Sequence, residues 1–490
     1  MALTPISLGV QGNPAQDSAM GAARLINCYV ENTGDEGKIK LPIRAAEGFA
    51  SFATVTNAAG VKAFLPLSSA DAYFYSNQRI FRVTSAGVGS QLGTMAAGTT
   101  ARITMARNRK DATPQIAVVS TDGLVRFIEN NIVTTATLPG DVPAGAIFNS
   151  VCSIDGYFVF TLNNGEFYIS DVDSTTIDSL NFASCESSPD GLLRAVTRGR
   201  DVVFFGPTST EFWQNTGNTD FPFERTTVTS VGCWADGTIA EMTAQAGDTP
   251  IDSVMFAATD ATGAFIGIHM LDGYGSRKVS TPAVDRAVIA HGVTDALKAG
   301  LIGFTWAAGG HAFYAISGTA FTWVYDTTTG LWHERISTGQ TRWRPQCAMT
   351  FAGKTITGDY SNSSLYEIAD SYTASGASSL SVYTSDSNGD SYSTARTVSI
   401  GGASDRSKRF KFMRWGQSKE DGKVVKIEIS NAVRENSTAA TMTIIPPHVH
   451  AWPNPIKMHS LFVDVVPGSS QTSRPKAITG LAADVEAVKG

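Results

Sequence analysis

The sequence predicts an all-β protein: a six- or seven-bladed β-propeller, preceded by an N-terminal arm and followed by a β-sandwich-like C-terminal domain. Three observations carry this. Short β-branched and aromatic runs, punctuated by Gly, Asn, Asp and Ser, recur along the chain. Helical periodicity is sustained only in short pieces such as Val293 to Ala299. Seven similar hairpins begin at Tyr73, Ile116, Tyr157, Val202, Ser253, Ala312 and Lys354, spaced 43, 41, 45, 51, 59 and 42 residues apart. Four short strands in roughly 40 to 50 residues make one propeller blade. The two long spacings leave room for insertions, and so leave the count at six or seven.

In chain order, residues 1–55 read as a polar, Gly-containing arm. It has neither the basic start nor the apolar run of a secretory signal. Residues 56–372 read as the propeller. Each hairpin has an apolar strand, a turn of residues that tolerate positive φ, and a second strand of alternating character; Asn163-Asn164-Gly165 and Ser120-Thr121-Asp122-Gly123 are the clearest turns. Asp201 to Trp213 (DVVFFGPTSTEFW) is one of this series. Ser209 and Glu211 therefore belong to a hairpin rather than to an active site. Ala374 to Ser379 reads as a linker. In residues 373–490, VSIGG, RFKFMRW and VVKIEIS read as strands, and a Pro-rich stretch at about 434–456 as a projecting loop.

Composition narrows the function. A chain of 490 residues with 42% apolar and 17% charged residues has enough apolar character for a large interior. Its 38 basic against 44 acidic residues do not suit a tight grip on nucleic acid. No window reaches the roughly 18 apolar residues of a membrane helix, so no membrane insertion is expected, and the chain reads as soluble and not exported by the usual route. Cys28, Cys152, Cys185, Cys233 and Cys347 are odd in number and widely spaced, as reduced buried thiols would be.

No phosphate loop, GxSxG elbow or HExxH pair is present, and Gly87 to Gly93 has the wrong spacing for a dinucleotide fingerprint. His448 and His450 would share a strand face where two imidazoles could meet a metal. Pro446, Pro447 and Pro453 surround them and no nearby Cys or carboxylate completes four ligands, so a surface loop is expected. Thr384 to Tyr392 nearly matches the Asp box of sialidase-like glycosidases, but has one residue too many between Asp386 and Gly389, and occurs once, outside the repeats. Arg406, Lys408, Arg409, Lys411 and Arg414 interleave with Phe410, Phe412 and Trp415. On a strand this separates a basic face from an aromatic one: a solvated face, a dock for an acidic partner, or a wall facing DNA. No catalytic, cofactor-binding or metal residue is expected.

Several stretches together resemble one known family, the tail hub or tail nozzle proteins (packaged-DNA stabilisation proteins) of short-tailed bacteriophages. They are Arg24 to Glu31, Glu186 to Gly191, the Asp201 to Trp213 stretch with Thr216-Gly217, Gly232-Cys233, Arg277 to Val284, Tyr325-Asp326 with Leu331 to His333, Thr384 to Ile400, and Arg414 to Gly416. The resemblance implies a structural virion protein, made in the host cytoplasm and placed in the virion tail. It would form a homo-oligomeric, hexameric ring below the portal and its adaptor (head-to-tail connector) protein. Its lumen would retain packaged DNA and conduct it during ejection, touching the genome only transiently. Tail fibre, spike or needle proteins would dock on its loops. The candidate contacts are Asn32, Asp35 and Lys38 in the arm, Arg406 and Lys408, and His448, His450 and Trp452 in the projecting loop, where Trp452 would suit an anchor. The alternatives are a sialidase-like propeller glycosidase and a cellular interaction scaffold.

Overall fold

The computed structural model describes residues 25–32, 46–242, 252–337 and 340–368 in full, and elsewhere the backbone of the strands named below. Seven blades follow one another, each built on four strands; Gly232–Cys233 adds a fifth strand to the sheet of blade 5, and the sheet of blade 6 continues into Ala23–Ile26. The inner strands are Val61–Pro66 (blade 1), Ile103–Arg107 (blade 2), Phe148–Ile154 (blade 3), Arg194–Arg198 (blade 4), Ala240–Ala246 (blade 5), Ile302–Ala308 (blade 6) and Pro345–Phe351 (blade 7). Each packs against the next, and that of blade 7 against that of blade 1, so the ring is closed. The seven hairpins are the second and third strands of the seven blades; in blade 4 they are Asp201–Phe205 and Thr210–Asn215.

Seven apolar clusters lie among the described residues, one between each pair of neighbouring blades. This explains the near-continuous apolar runs. Strand residues alternate faces, so Val202 and Phe204 enter the cluster shared with blade 3, while Val203 and Phe205 enter that shared with blade 5. All four side chains are fully buried. A middle strand buried on both faces has no polar alternation to show.

The long spacings do hold insertions. Before blade 6 stand two helices, α1 (Pro282–His291) and α2 (Asp295–Ala299). The helical reading of Val293 to Ala299 lands on α2, whereas α1 was missed, although its start is signalled. Thr281 Oγ1 accepts from the Val284 N–H, Pro282 opens the first turn and Asp285 follows. Between blades 4 and 5 come Gly232–Cys233 and a 3-10 turn, Asp236–Thr238.

Blade 7 is completed from the other end of the chain. Its outer strand is Gly48–Thr54, antiparallel to Ser364–Ala369. The propeller therefore reaches back to residue 48, into the segment read as arm. Upstream, Ala23–Ile26 runs parallel to the outer strand of blade 6, Leu331–Glu334, with Ile26 opposite Glu334. Its other edge pairs with Ser378–Val382. In the C-terminal region, Arg396–Gly401 pairs with Ala439–Ile445, which pairs in turn with Phe462–Pro467. Ala439–Ile445 lies inside the stretch read as a projecting loop; its Thr and Ile residues suit a strand, and both of its edges are paired.

Candidate functional site

Two places in the propeller concentrate polar chemistry: its axis, and the seam where the arm meets blades 6 and 7. A cavity of about 1450 Å³ runs along the axis and is lined by the inner strands of all seven blades. Hydroxyl groups bond the edges that face it. Ser153 Oγ donates to Arg107 O, Thr197 Oγ1 to Ser153 O, and Thr305 Oγ1 to Glu241 O, at 2.7, 3.0 and 2.5 Å, each from one blade to the blade before it.

At the end where the inner strands begin, the cavity is crossed by an ion pair. Arg102, just before the inner strand of blade 2, is bound to Asp236 in the 3-10 turn before that of blade 5. These blades stand nearly opposite in the ring, so the pair spans the axis. Burial opposes ionisation of Asp236, but Arg102 overrides it and holds the carboxyl below its ordinary range. Gly237 beside it leaves no room for a side chain, since a Cβ would lie 2.2 Å from Leu301 O. Lys62 of blade 1 donates to Thr99 O and Ala101 O at 2.7 and 2.6 Å, which fastens blade 1 to blade 2 at the same end.

The second cluster is a latch. Asn27, at φ 53°, turns the chain between Ala23–Ile26 and Cys28–Val30. Its Nδ2 donates to Ile336 O at 2.8 Å and its Oδ1 accepts from Ile336 N at 2.9 Å. Tyr29 OH donates to Glu47 Oε1 at 2.9 Å, and Arg335 Nη2 to Glu47 Oε2 at 3.2 Å. Arg335 is fully buried, its guanidinium 5.1, 5.2 and 4.8 Å from the ring centres of Trp306, Phe313 and Trp343. Its Nε donates to His333 Nε2 at 3.3 Å, which needs that nitrogen unprotonated. Burial, Arg335 and His311 all push the His333 pKa well down.

Glu211 is structural. Its carboxylate accepts from Ser187 N and Trp213 Nε1, at 2.9 and 2.8 Å, and stands 3.6 Å from Arg225. The described cysteines are free thiols, and burial raises the pKa of Cys152, Cys233 and Cys347 to about 12. No group of three or more metal-ligating side chains occurs among the described residues. No helix among them is long and apolar enough to cross a membrane.

The rim carries apolar side chains. Ile132, Leu180, Phe182 and Val228 are 65%, 81%, 40% and 38% exposed, on the outer strands of blades 2, 3 and 4. Of the contacts expected from sequence, Asn32 is exposed. Asp35, Lys38, Arg406, Lys408, His448, His450 and Trp452 lie outside the described residues, as does the Asp-box-like stretch Thr384 to Tyr392. Sequence reasoning missed Glu47, Arg335, Arg102 and Asp236. The one available signal was a charge placed next to apolar strand ends.

Among solved structures, the chain is similar to YCF48 bound to D1 peptide, at 9% identity and TM-score 0.41, over 67% of this chain and 97% of that one. It is also similar to the extracellular domain of a hybrid two component system from B. thetaiotaomicron, at 12% and 0.43, over 80% and 47%. A third is the computationally designed Ika8 protein, at 9% and 0.37, over 71% and 100%. Such likenesses carry no argument about function. No curated protein matches the chain. A family model described as bacteriophage P22 Gp10, beta-propeller, matches residues 42–373. The match opens just before the closing strand Gly48–Thr54 and ends just after Ser364–Ala369, taking in all seven blades, and this chain belongs to that family of phage stabilisation β-propellers.

Proposed function

We propose that this chain is a tail hub, or nozzle, subunit: a virion protein without turnover that assembles as a ring below the head-to-tail adaptor, holds packaged DNA and conducts it during ejection. The family match across the whole propeller carries this reading. Two features support it. The ion pair of Arg102 and Asp236 bars the propeller's own axis, so a conduit for a duplex has to lie between copies of the chain. The apolar rim of blades 2 to 4 offers the kind of surface a neighbouring copy would cover. The arm, with Asn32, Asp35 and Lys38, and the C-terminal residues Arg406, Lys408, His448, His450 and Trp452 are proposed contacts for adaptor, fibre, spike or needle proteins. Asn32 alone among these is described, and it is exposed.

Antibody-gold labelling of phage particles with an antibody against this chain tests the reading. Label at a single capsid vertex is the expected result; label absent from intact and disrupted particles alike would remove the tail assignment. Sedimentation of the purified chain, alone and with the adaptor, then tests the ring. The combined Leu180→Asp and Phe182→Asp variant is expected to remain monomeric.

A further inference from the structure

The seam on blade 6 joins a strand that bridges two sets of strands to a histidine with no place for a second proton. Ala23–Ile26 lies between Leu331–Glu334 and Ser378–Val382, so in that sheet the arm strand is what continues blade 6 into Ser378–Val382 and Phe462–Pro467. On the blade side it is held thinly. Ile26 stands opposite Glu334, Asn27 N donates to Glu334 O at 2.8 Å, and the Asn27 side chain makes its two bonds to Ile336. Tyr29 adds the packing: it is buried, with its ring centre 4.9, 5.4 and 6.0 Å from those of His311, Phe313 and His333.

The charged and titratable groups around His333 come from every element packed on it. Arg335, just past the end of its own strand, donates from Nε to His333 Nε2 at 3.3 Å. His311 comes from the second strand of the blade, with its Nδ1 2.8 Å from Asp326 Oδ2 on the third. Tyr29 and Glu47 come from the arm side, and Glu47 accepts from Tyr29 OH and Arg335 Nη2. Glu334 lies between His333 and Arg335 in sequence and so points to the opposite face of the strand. Asp326 is thus taken by His311, and Glu47 by Tyr29 and Arg335; among the described residues no carboxylate is bonded to His333. A proton on Nε2 would replace an acceptor by a donor, set one N–H against another, and place two cations side by side in a dry pocket walled by Trp306, Phe313 and Trp343.

We propose that this seam is an acid-released latch: when His333 takes a proton at Nε2 the bond from Arg335 is lost, Tyr29 lifts, and Ala23–Ile26 leaves blade 6, parting the C-terminal strands from the sheet of the propeller. With the seam closed, burial, Arg335 and His311 hold the His333 pKa well below its ordinary value; with the seam open, the ring returns to about 6.5. The open form therefore gains about tenfold for each pH unit below 6.5, or about 30-fold by pH 5, and gains almost nothing between pH 8 and 7.5. The latch belongs to the single chain and is independent of the tail reading.

Hydrogen exchange of the full-length chain, read by mass spectrometry at pH 7.5 and 5 with labelling times scaled to the intrinsic exchange rates, tests it. The open fraction at residues 23–32 and 378–382 should rise about 30-fold at pH 5, while residues 157–170 in blade 3 keep their protection. His333→Gln, which offers Arg335 an acceptor that does not titrate, should abolish the response at residues 23–32. His311→Gln should retain it, and this variant decides should His333→Gln fail to fold. An open fraction at residues 23–32 that is the same at both pH values, a rise shared equally by residues 157–170, a response that survives in folded His333→Gln, or one lost in folded His311→Gln overturns the latch.

Discussion

Removing the Arg335 side chain leaves Glu47 its Tyr29 hydrogen bond but takes away the Arg335 ion pair. Arg335 lies wholly inside the protein, packed against three aromatic rings, and Glu47 is almost as deep. Breaking a buried pair from one side costs about 3–5 kcal/mol, because the remaining charge keeps its desolvation penalty. Arg335→Ala should therefore lower the chemical-denaturation stability by that amount, and Arg335→Ala with Glu47→Gln by clearly less than the sum of the single changes. The neighbouring His333 gives the latch a pH dependence of known sign. Its folded pKa lies well below its unfolded value of about 6.5. The unfolded chain therefore takes up a proton that the folded one refuses, and stability falls as pH drops below about 6.5. Urea midpoints at pH 7.5 and 5 should differ more for wild type than for His333→Gln; equal differences would assign the acid sensitivity elsewhere. Thiols give a third check at this scale. With pKa values of about 12, Cys152, Cys233 and Cys347 should resist alkylation at pH 8 in the folded chain and react once it is unfolded.

Among the elements, Gly48–Thr54 decides whether blade 7 exists as a four-stranded sheet. It buries Phe49 and Ala53 and pairs along the length of Ser364–Ala369. Deleting residues 1–55 should cost the cooperative thermal transition and produce aggregates on size exclusion, through the exposed edge of Ser364–Ala369. Deleting 1–22 leaves that strand in place and should preserve the transition. Element-scale legibility follows from where each element finds its partner. The seven hairpins could be read because each strand meets its neighbour within a few residues of a marked turn. Gly48–Thr54 could not, since GFASFAT has only a weak alternation and its partner is some 310 residues away, as the Thr54–Ser364 contact shows. Helix α1 was hidden differently. Its buried residues are only Ala283, Val284 and Val288, too few to make a periodic stripe.

At the scale of the whole molecule, the closed ring brings together residues that have no relation along the chain. Lys62, Arg102 and Arg194 stand on three blades, at or just before the start of an inner strand, and line one cavity, with Asp236 from a fourth blade bound to Arg102, only because the blades circle an axis. No local pattern could announce such a cluster, which is why the cavity chemistry was invisible while the blade period was plain. The same geometry yields a prediction for the particle. Under the proposed tail assignment, reconstructions of phage particles at side-chain resolution should show DNA density running between propellers and never along the axis of one, with the Arg102 and Asp236 pair intact in every copy.

The closing strand also sets a clock on synthesis. Gly48–Thr54 leaves the ribosome early, but the strand it pairs with follows about 310 residues later, which at 5–20 residues per second is roughly 15–60 s of translation. For that interval the growing chain carries blades already packed side by side, with an unclosed flank at each end of the row. In a host filling with identical nascent chains, those flanks are complementary to one another as well as to their own partners. Swapped closure between two polypeptides is thus the characteristic misassembly of this design, and slower growth temperatures should change its yield more than they change the stability of the finished protein.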